Sequence, residues 1–108
     1  MSLEATLDAS VDGAVEFEFR VRNTGDEPVE LQFRSSKAAD IAVLDDGEEV
    51  WRWSAGRMFT QALQSRTLAP GESASHQFTW DDPQSGTYTA RGTLEADKDA
   101  QATTTVTV

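Results

Sequence analysis

The chain offers few side chains able to do covalent or metal chemistry. It has no cysteine and one histidine, His76. There is therefore no thiolate nucleophile, no zinc–thiolate site and no disulfide framework. A Ser-His-Asp triad or a multi-histidine metal site would have to be built around His76 alone. Ser35, Ser36, Ser54, Ser65 and Ser75 are present, but none sits in a Gly-x-Ser-x-Gly nucleophile elbow. His76 falls on the inward phase of an alternating segment, where a satisfied, partly buried imidazole is expected. The acidic pairs Asp45-Asp46, Asp81-Asp82 and Asp97/Asp99 could meet a cation only if their loops converged. None follows the Asp-x-Asp-x-Asp-Gly pattern with its distal glutamate. The residues point to a protein that is not an enzyme, with no catalytic residue, no metal and no cofactor.

Binding is better supplied than catalysis. The segment Ser54-Ala-Gly-Arg-Met-Phe-Thr-Gln61 sets two large apolar residues, Met58 and Phe59, among small and polar ones. Two roles are open to it. As a binding loop it would offer Met58 or Phe59 to an apolar pocket, with Trp53 in support and Ser54, Arg57 and Gln61 as flanking contacts. As a structural plug, Met58 and Phe59 would close the end of the core. Trp51 and Trp53, two apart on one extended run, share a face. They are either central core or, at Trp53, the edge of a binding surface, where tryptophan is enriched. Arg52 points the other way and should meet a cross-strand carboxylate.

Net charge narrows the partners. Nineteen acidic residues oppose nine basic ones, for a net charge of −10. Phosphate capture needs clustered Lys and Arg, so electrostatics work against nucleic acid and none is expected as a partner; anionic lipid is disfavoured for the same reason and no membrane partner is expected. No apolar run approaches the roughly 18 residues of a membrane span. The opening Met-Ser-Leu-Glu-Ala-Thr lacks the basic and apolar regions of a secretory signal, so the expected compartment is the cytoplasm. Seven Arg to two Lys, a single Ile and abundant Ala and Thr resemble a halophile's composition. Carboxylates there keep the surface hydrated where salt screens charge to a few ångströms.

The elements that must position the loop are short and alternate with period two. Ala14–Asn23 is the clearest, with Val15, Phe17, Phe19 and Val21 on one face and Glu16, Glu18, Arg20 and Arg22 on the other. Strands are also expected at Leu3–Ser10, Val29–Ser35, Asp40–Leu44, Glu49–Trp53, Ser73–Trp80, Gly86–Glu95 and Ala102–Val108. Asp45-Asp46-Gly47-Glu48 is a type I′ hairpin signal. Ser54–Ser65 breaks the alternation and reads as a structured loop with room for one helical turn, and the stretch Ser54–Leu68 as a whole reads as a long crossover. Tyr88 follows Gly86 in the manner of a tyrosine corner, and its hydroxyl should find a backbone partner. A chain of 108 residues suits one domain. The expected fold is all-β: one antiparallel sandwich of about seven to eight strands over residues 1–108, preferred to a closed barrel because of the crossover.

Four segments also resemble a known family. Val21-Arg-Asn-Thr-Gly-Asp-Glu-Pro-Val29, Asp45-Asp-Gly-Glu-Glu-Val-Trp-Arg-Trp-Ser54, Arg57-Met-Phe-Thr-Gln-Ala-Leu63 and Leu68-Ala-Pro-Gly-Glu72 look, in this order, like the BsuPI intracellular proteinase inhibitors. The Trp-Arg-Trp-Ser and Met-Phe-Thr-Gln-Ala strings carry the most specificity. The resemblance implies an immunoglobulin-like fold and a protein partner, an intracellular subtilisin-type serine protease. It does not say which end of the sandwich binds, and the Asn23–Glu27 and Asp46–Glu48 loops are rival surfaces. The other reading is a non-inhibitory interaction or structural module that pairs through an edge strand, with Ala102–Val108 as the natural edge.

Overall fold

A computed structural model describes residues 2–108. Its nine strands are β1 (Leu3–Asp12), β2 (Ala14–Asn23), β3 (Val29–Phe33), β4 (Ala39–Asp45), β5 (Glu48–Arg52), β6 (Gln64–Leu68), β7 (Ser73–Trp80), β8 (Thr87–Leu94) and β9 (Gln101–Thr107). Two antiparallel sheets, ordered β1-β2-β7 and β5-β4-β8-β9, and a two-stranded ribbon of β3 and β6 make up the fold. No helix is present among the described residues, so none is long and apolar enough to cross a membrane.

The alternation in β2 decides the first sheet. Val15, Phe17, Phe19 and Val21 are all buried, opposite Trp80, Phe78, His76 and Ala74 of β7. Burying one face of each strand fixes register, because a one-residue slip would turn every side chain to the wrong side. From the other sheet come Ile41 and Val43 of β4, Tyr88, Ala90 and Leu94 of β8, and Val106 of β9. Val29, Leu31, Phe33 and Leu68 of the ribbon join the same core. Gly92 faces Phe19 so closely that a Cβ there would lie 2.5 Å from the phenyl Cδ1. Glycine is what lets the two sheets approach at this point.

The hairpin between β4 and β5 turns as expected, with Asp46 at φ 52° and Gly47 at φ 85°, the paired positive values of a type I′ turn. A register shift after Val43 places Trp51 opposite Val43 and Glu49 opposite Leu44. Val50 is bulged out of the pairing and exposed. The Tyr88 hydroxyl donates to the Gln84 carbonyl at 2.8 Å, the backbone partner its position called for.

One expectation needs correction. The stretch Ser54–Leu68 is not all crossover: its last five residues form β6, paired with β3. Its residues Gln64, Ser65, Arg66 and Thr67 are exposed on both faces, so no hydrophobic alternation marks the strand in the sequence. β9 is the last strand of its sheet, as expected of an edge, with β1 of the other sheet near it.

Candidate partner-binding loop

The loop begins where the β4–β5 ladder ends. The Trp53 amide donates to the Ile41 carbonyl at 3.0 Å, the final cross-strand bond of that pair. The chain then turns. Ala55 N–H reaches the Arg52 carbonyl and Arg57 N–H reaches the Ser54 carbonyl, each at 3.1 Å. Gly56 takes φ 78°, a conformation that other residues adopt at a cost. Arg57 to Leu63 have no regular structure.

Trp53 is the platform of the loop. Its indole meets Phe78 of the opposite sheet edge-on, with centroids 4.8 Å apart, and so ties the loop base to the core. On it rest Phe59, 5.7 Å away and half-buried, and the Arg57 guanidinium, 4.5 Å from the ring centre. The Arg57 Nε also donates to the Trp53 carbonyl at 2.9 Å. Trp51, its neighbour on the same face, stacks between Phe17 and Trp80 and lies partly buried against the core.

Two residues that sequence reasoning did not assign hold the legs of the loop. Asp40 is 1% exposed. Its Oδ1 accepts the Ile41 and Ser54 amides at 2.9 and 3.1 Å. Its Oδ2 accepts the Ser54 hydroxyl at 2.5 Å and Arg52 Nη1 at 3.1 Å, with Lys37 Nζ 3.6 Å away. Burial pushes the carboxyl towards neutrality, but the bonds from Ser54, Arg52 and Ile41 and the Lys37 charge outweigh it, so the group lies below its ordinary value and stays ionised. On the other leg, the Ser36 amide donates to the Thr60 carbonyl at 2.9 Å, and the Thr60 amide donates to Ser36 Oγ at 3.0 Å. The sequence held one signal for Asp40: a lone acid in the run Ala38-Ala-Asp-Ile-Ala-Val43, where a carboxylate must be buried with partners.

Between these ties Met58 stands 98% exposed. Of the residues singled out from the sequence, Trp53, Ser54, Arg57 and Phe59 come together in one packed base. Met58 projects from it, and Gln61 lies exposed beyond the Thr60 tie. Phe59 rests on Trp53 and is not among the residues packed against the core, and Met58 stands free of both. Arg52 has its cross-strand carboxylate in Asp40, and Glu49, three residues back on its own strand, pairs with it at 2.6 Å. His76 is half-buried opposite Phe19. Burial, with the nearby Arg66 charge, moves its pKa below the ordinary value, so the imidazole is neutral. Among the described residues no group of three or more His, Asp or Glu side chains could hold a metal ion.

The fold and this loop define an immunoglobulin-like sandwich that displays a tethered segment with an apolar tip. The chain belongs to the BsuPI family, described as intracellular proteinase inhibitor, whose profile matches residues 2–99. No curated protein matches it. Among solved structures it is similar to the CARDB domain of a Pyrococcus furiosus protein, crystallised in complex with di-metal ions. That likeness has a TM-score of 0.56 at 20% identity and covers 99% of this chain and 92% of that one. The solution structure of the same domain gives a TM-score of 0.52 at 22% identity, over 98% and 93% of the two chains. The β-glucosidase of Kluyveromyces marxianus in complex with glucose matches at a TM-score of 0.51 and 15% identity, over 99% of this chain and 14% of that one. At these identities the likenesses establish the fold alone.

Proposed function

We propose that this protein is a cytoplasmic, non-enzymatic inhibitor of a subtilisin-type serine protease, acting as one domain through the loop Ser54–Gln61. Met58 is the side chain that enters the apolar S1 pocket of the protease. Phe59 and Trp53 support it from behind. Ser54, Arg57 and Gln61 flank it and complete the contact with backbone groups of the loop. The observation that carries the reading is Met58 at 98% exposure on a loop whose two legs are hydrogen-bonded to the body of the sandwich. Exposing an unbranched apolar side chain has no folding benefit, and a preorganised loop loses less entropy on binding. Family membership supplies the protease as the kind of partner.

The test is a titration of the purified protein, in molar salt, against an active-site-counted subtilisin-type protease. Stoichiometric loss of activity, abolished by Met58→Asp in a protein that still melts cooperatively, establishes both activity and loop. Full protease activity at a large excess of folded protein overturns the reading for that enzyme.

A second reading keeps the fold and drops the protease. β5 ends its sheet and exposes Val50 at its bulge, so a partner strand could add there. A complex that survives Met58→Asp and is lost on Val50→Pro would favour it.

A further inference from the structure

A loop that fills a protease pocket is also a substrate, and chemistry alone does not protect it. Suppose the protease serine attacks the Met58 carbonyl. Its Oγ–carbon bond forms and the Met58–Phe59 peptide bond breaks. The serine proton passes to the Phe59 nitrogen, which becomes a free amine. If that amine diffuses away, water hydrolyses the acyl-enzyme and the inhibitor is spent. If the amine stays in place, it attacks the ester, the peptide bond re-forms and the proton returns to the serine. What decides the outcome is whether both sides of the bond remain held.

Both sides are held here, from one short stretch of chain. On the Met58 side, the Ser54 amide and hydroxyl are bound by buried Asp40, which is itself braced by Arg52 and Lys37. Lys37 in turn reaches Glu95 at 3.2 Å, so the brace extends to the segment after β8. On the Phe59 side, Thr60 makes a reciprocal pair of bonds with Ser36, while the Phe59 ring rests on Trp53. The Phe59 amine would be fixed by its own ring and by its C-terminal neighbour after the peptide bond is cut. There is no disulfide to do this work.

We propose that Ser36–Asp40 is a clamp that keeps the loop from being consumed, with Ser36 and Asp40 as positioning residues for the Met58–Phe59 bond. The inference rests on the inhibitory reading above and adds residues outside the loop that decide whether it acts as inhibitor or as substrate.

The experiment incubates the unsubstituted protein, Ser36→Ala, Ser54→Ala and Asp40→Asn with active-site-counted subtilisin, and follows residual activity and fragment masses together. Ser36→Ala and Ser54→Ala each delete one hydroxyl from the partly exposed base, so they keep the fold if Asp40→Asn does not. Denaturant midpoints measured alongside separate loop cleavage from global unfolding. The clamp predicts cleavage at Met58–Phe59 roughly tenfold faster in each serine variant, the factor that about 1.4 kcal/mol confers, and faster still in Asp40→Asn. Inhibition should decay in step with cleavage while the midpoints stay above assay conditions. Variants that are cut no faster than the parent overturn the clamp. A parent that resists cutting without inhibiting, beside variants cut at the loop, overturns the inhibitory reading and leaves the clamp standing. A parent cut at the loop as fast as its variants overturns both.

Discussion

The Arg57 guanidinium lies over the Trp53 indole, 4.5 Å from the ring centre, while its Nε donates to the Trp53 carbonyl 2.9 Å away. One side chain thus closes the turn at both ring and backbone, and the indole beneath it is wedged against Phe78. Arg57→Ala should cost at most about 1 kcal/mol of global stability, as an exposed cation–π pair does, while raising amide exchange across residues 54–58. Trp53→Ala removes the platform as well and should cost about 2 kcal/mol, below the range for a fully buried tryptophan. Urea unfolding gives the first quantity, and hydrogen exchange separates a loop effect from a global one.

Gly92 is a second point where one atom decides the packing. A Cβ there meets Phe19 Cδ1 at 2.5 Å, and Phe19 is fully buried in the centre of β2. Gly92→Ala should therefore destabilise by about 1–3 kcal/mol through overpacking. Shortening the obstructing ring should restore part of the loss. A double-mutant cycle with Phe19→Leu is expected to show coupling of about 1 kcal/mol, and additivity would contradict the contact.

Asn23 is fully buried at the end of β2. Its Nδ2 donates to the carbonyls of Glu27 at 2.7 Å and Leu68 at 3.0 Å, and its Oδ1 accepts the Gly25 amide at 2.9 Å. Asn23→Ala leaves those groups short of partners where water has little access. The expected loss is about 1–3 kcal/mol, and Asn23→Asp, which keeps the acceptor but not the donors, should not rescue it. Thermal denaturation of the three proteins checks the order.

Stability should fall with pH in two steps. His76 has a folded-state pKa below its ordinary 6.5, so the unfolded chain takes up its proton first. Its contribution is complete above about 6.5 and declines as pH falls below that value. Asp40 has a folded-state pKa below its ordinary 3.8, so its contribution is complete above 3.8 and is lost as pH falls through the lower folded value. Replacing His76 with Gln should erase the upper step and leave the acid step. Unfolding free energies measured across this range, with and without the substitution, test the assignment.

Much of the fold is legible in the residue pattern. Strands β2 and β7 have the bounds that their alternation implied, because one buried face imposes period two on the sequence. The Asp46-Gly47 turn was legible for a local reason, the demand for positive φ at two successive residues. β6 was not, since Gln64-Ser-Arg-Thr67 is held by backbone bonds to β3 and buries no face that would leave a hydrophobic signature.

The candidate site divides in the same way. By itself the sequence determined that Trp51 and Trp53 share a face, that Arg52 faces a carboxylate and that an apolar pair interrupts a polar loop. Those facts follow from strand geometry and composition, which act over a few residues. Only the tertiary structure decided that Phe59 turns in onto Trp53 while Met58 turns out. Only it showed that Asp40 and Ser36, 14 and 24 residues before their partners, tie down the legs of the loop. Side-chain hydrogen bonds at such separations have no periodicity. They arise when packing of the sheets brings β4 and the bend before it against the loop, and no local preference records that encounter.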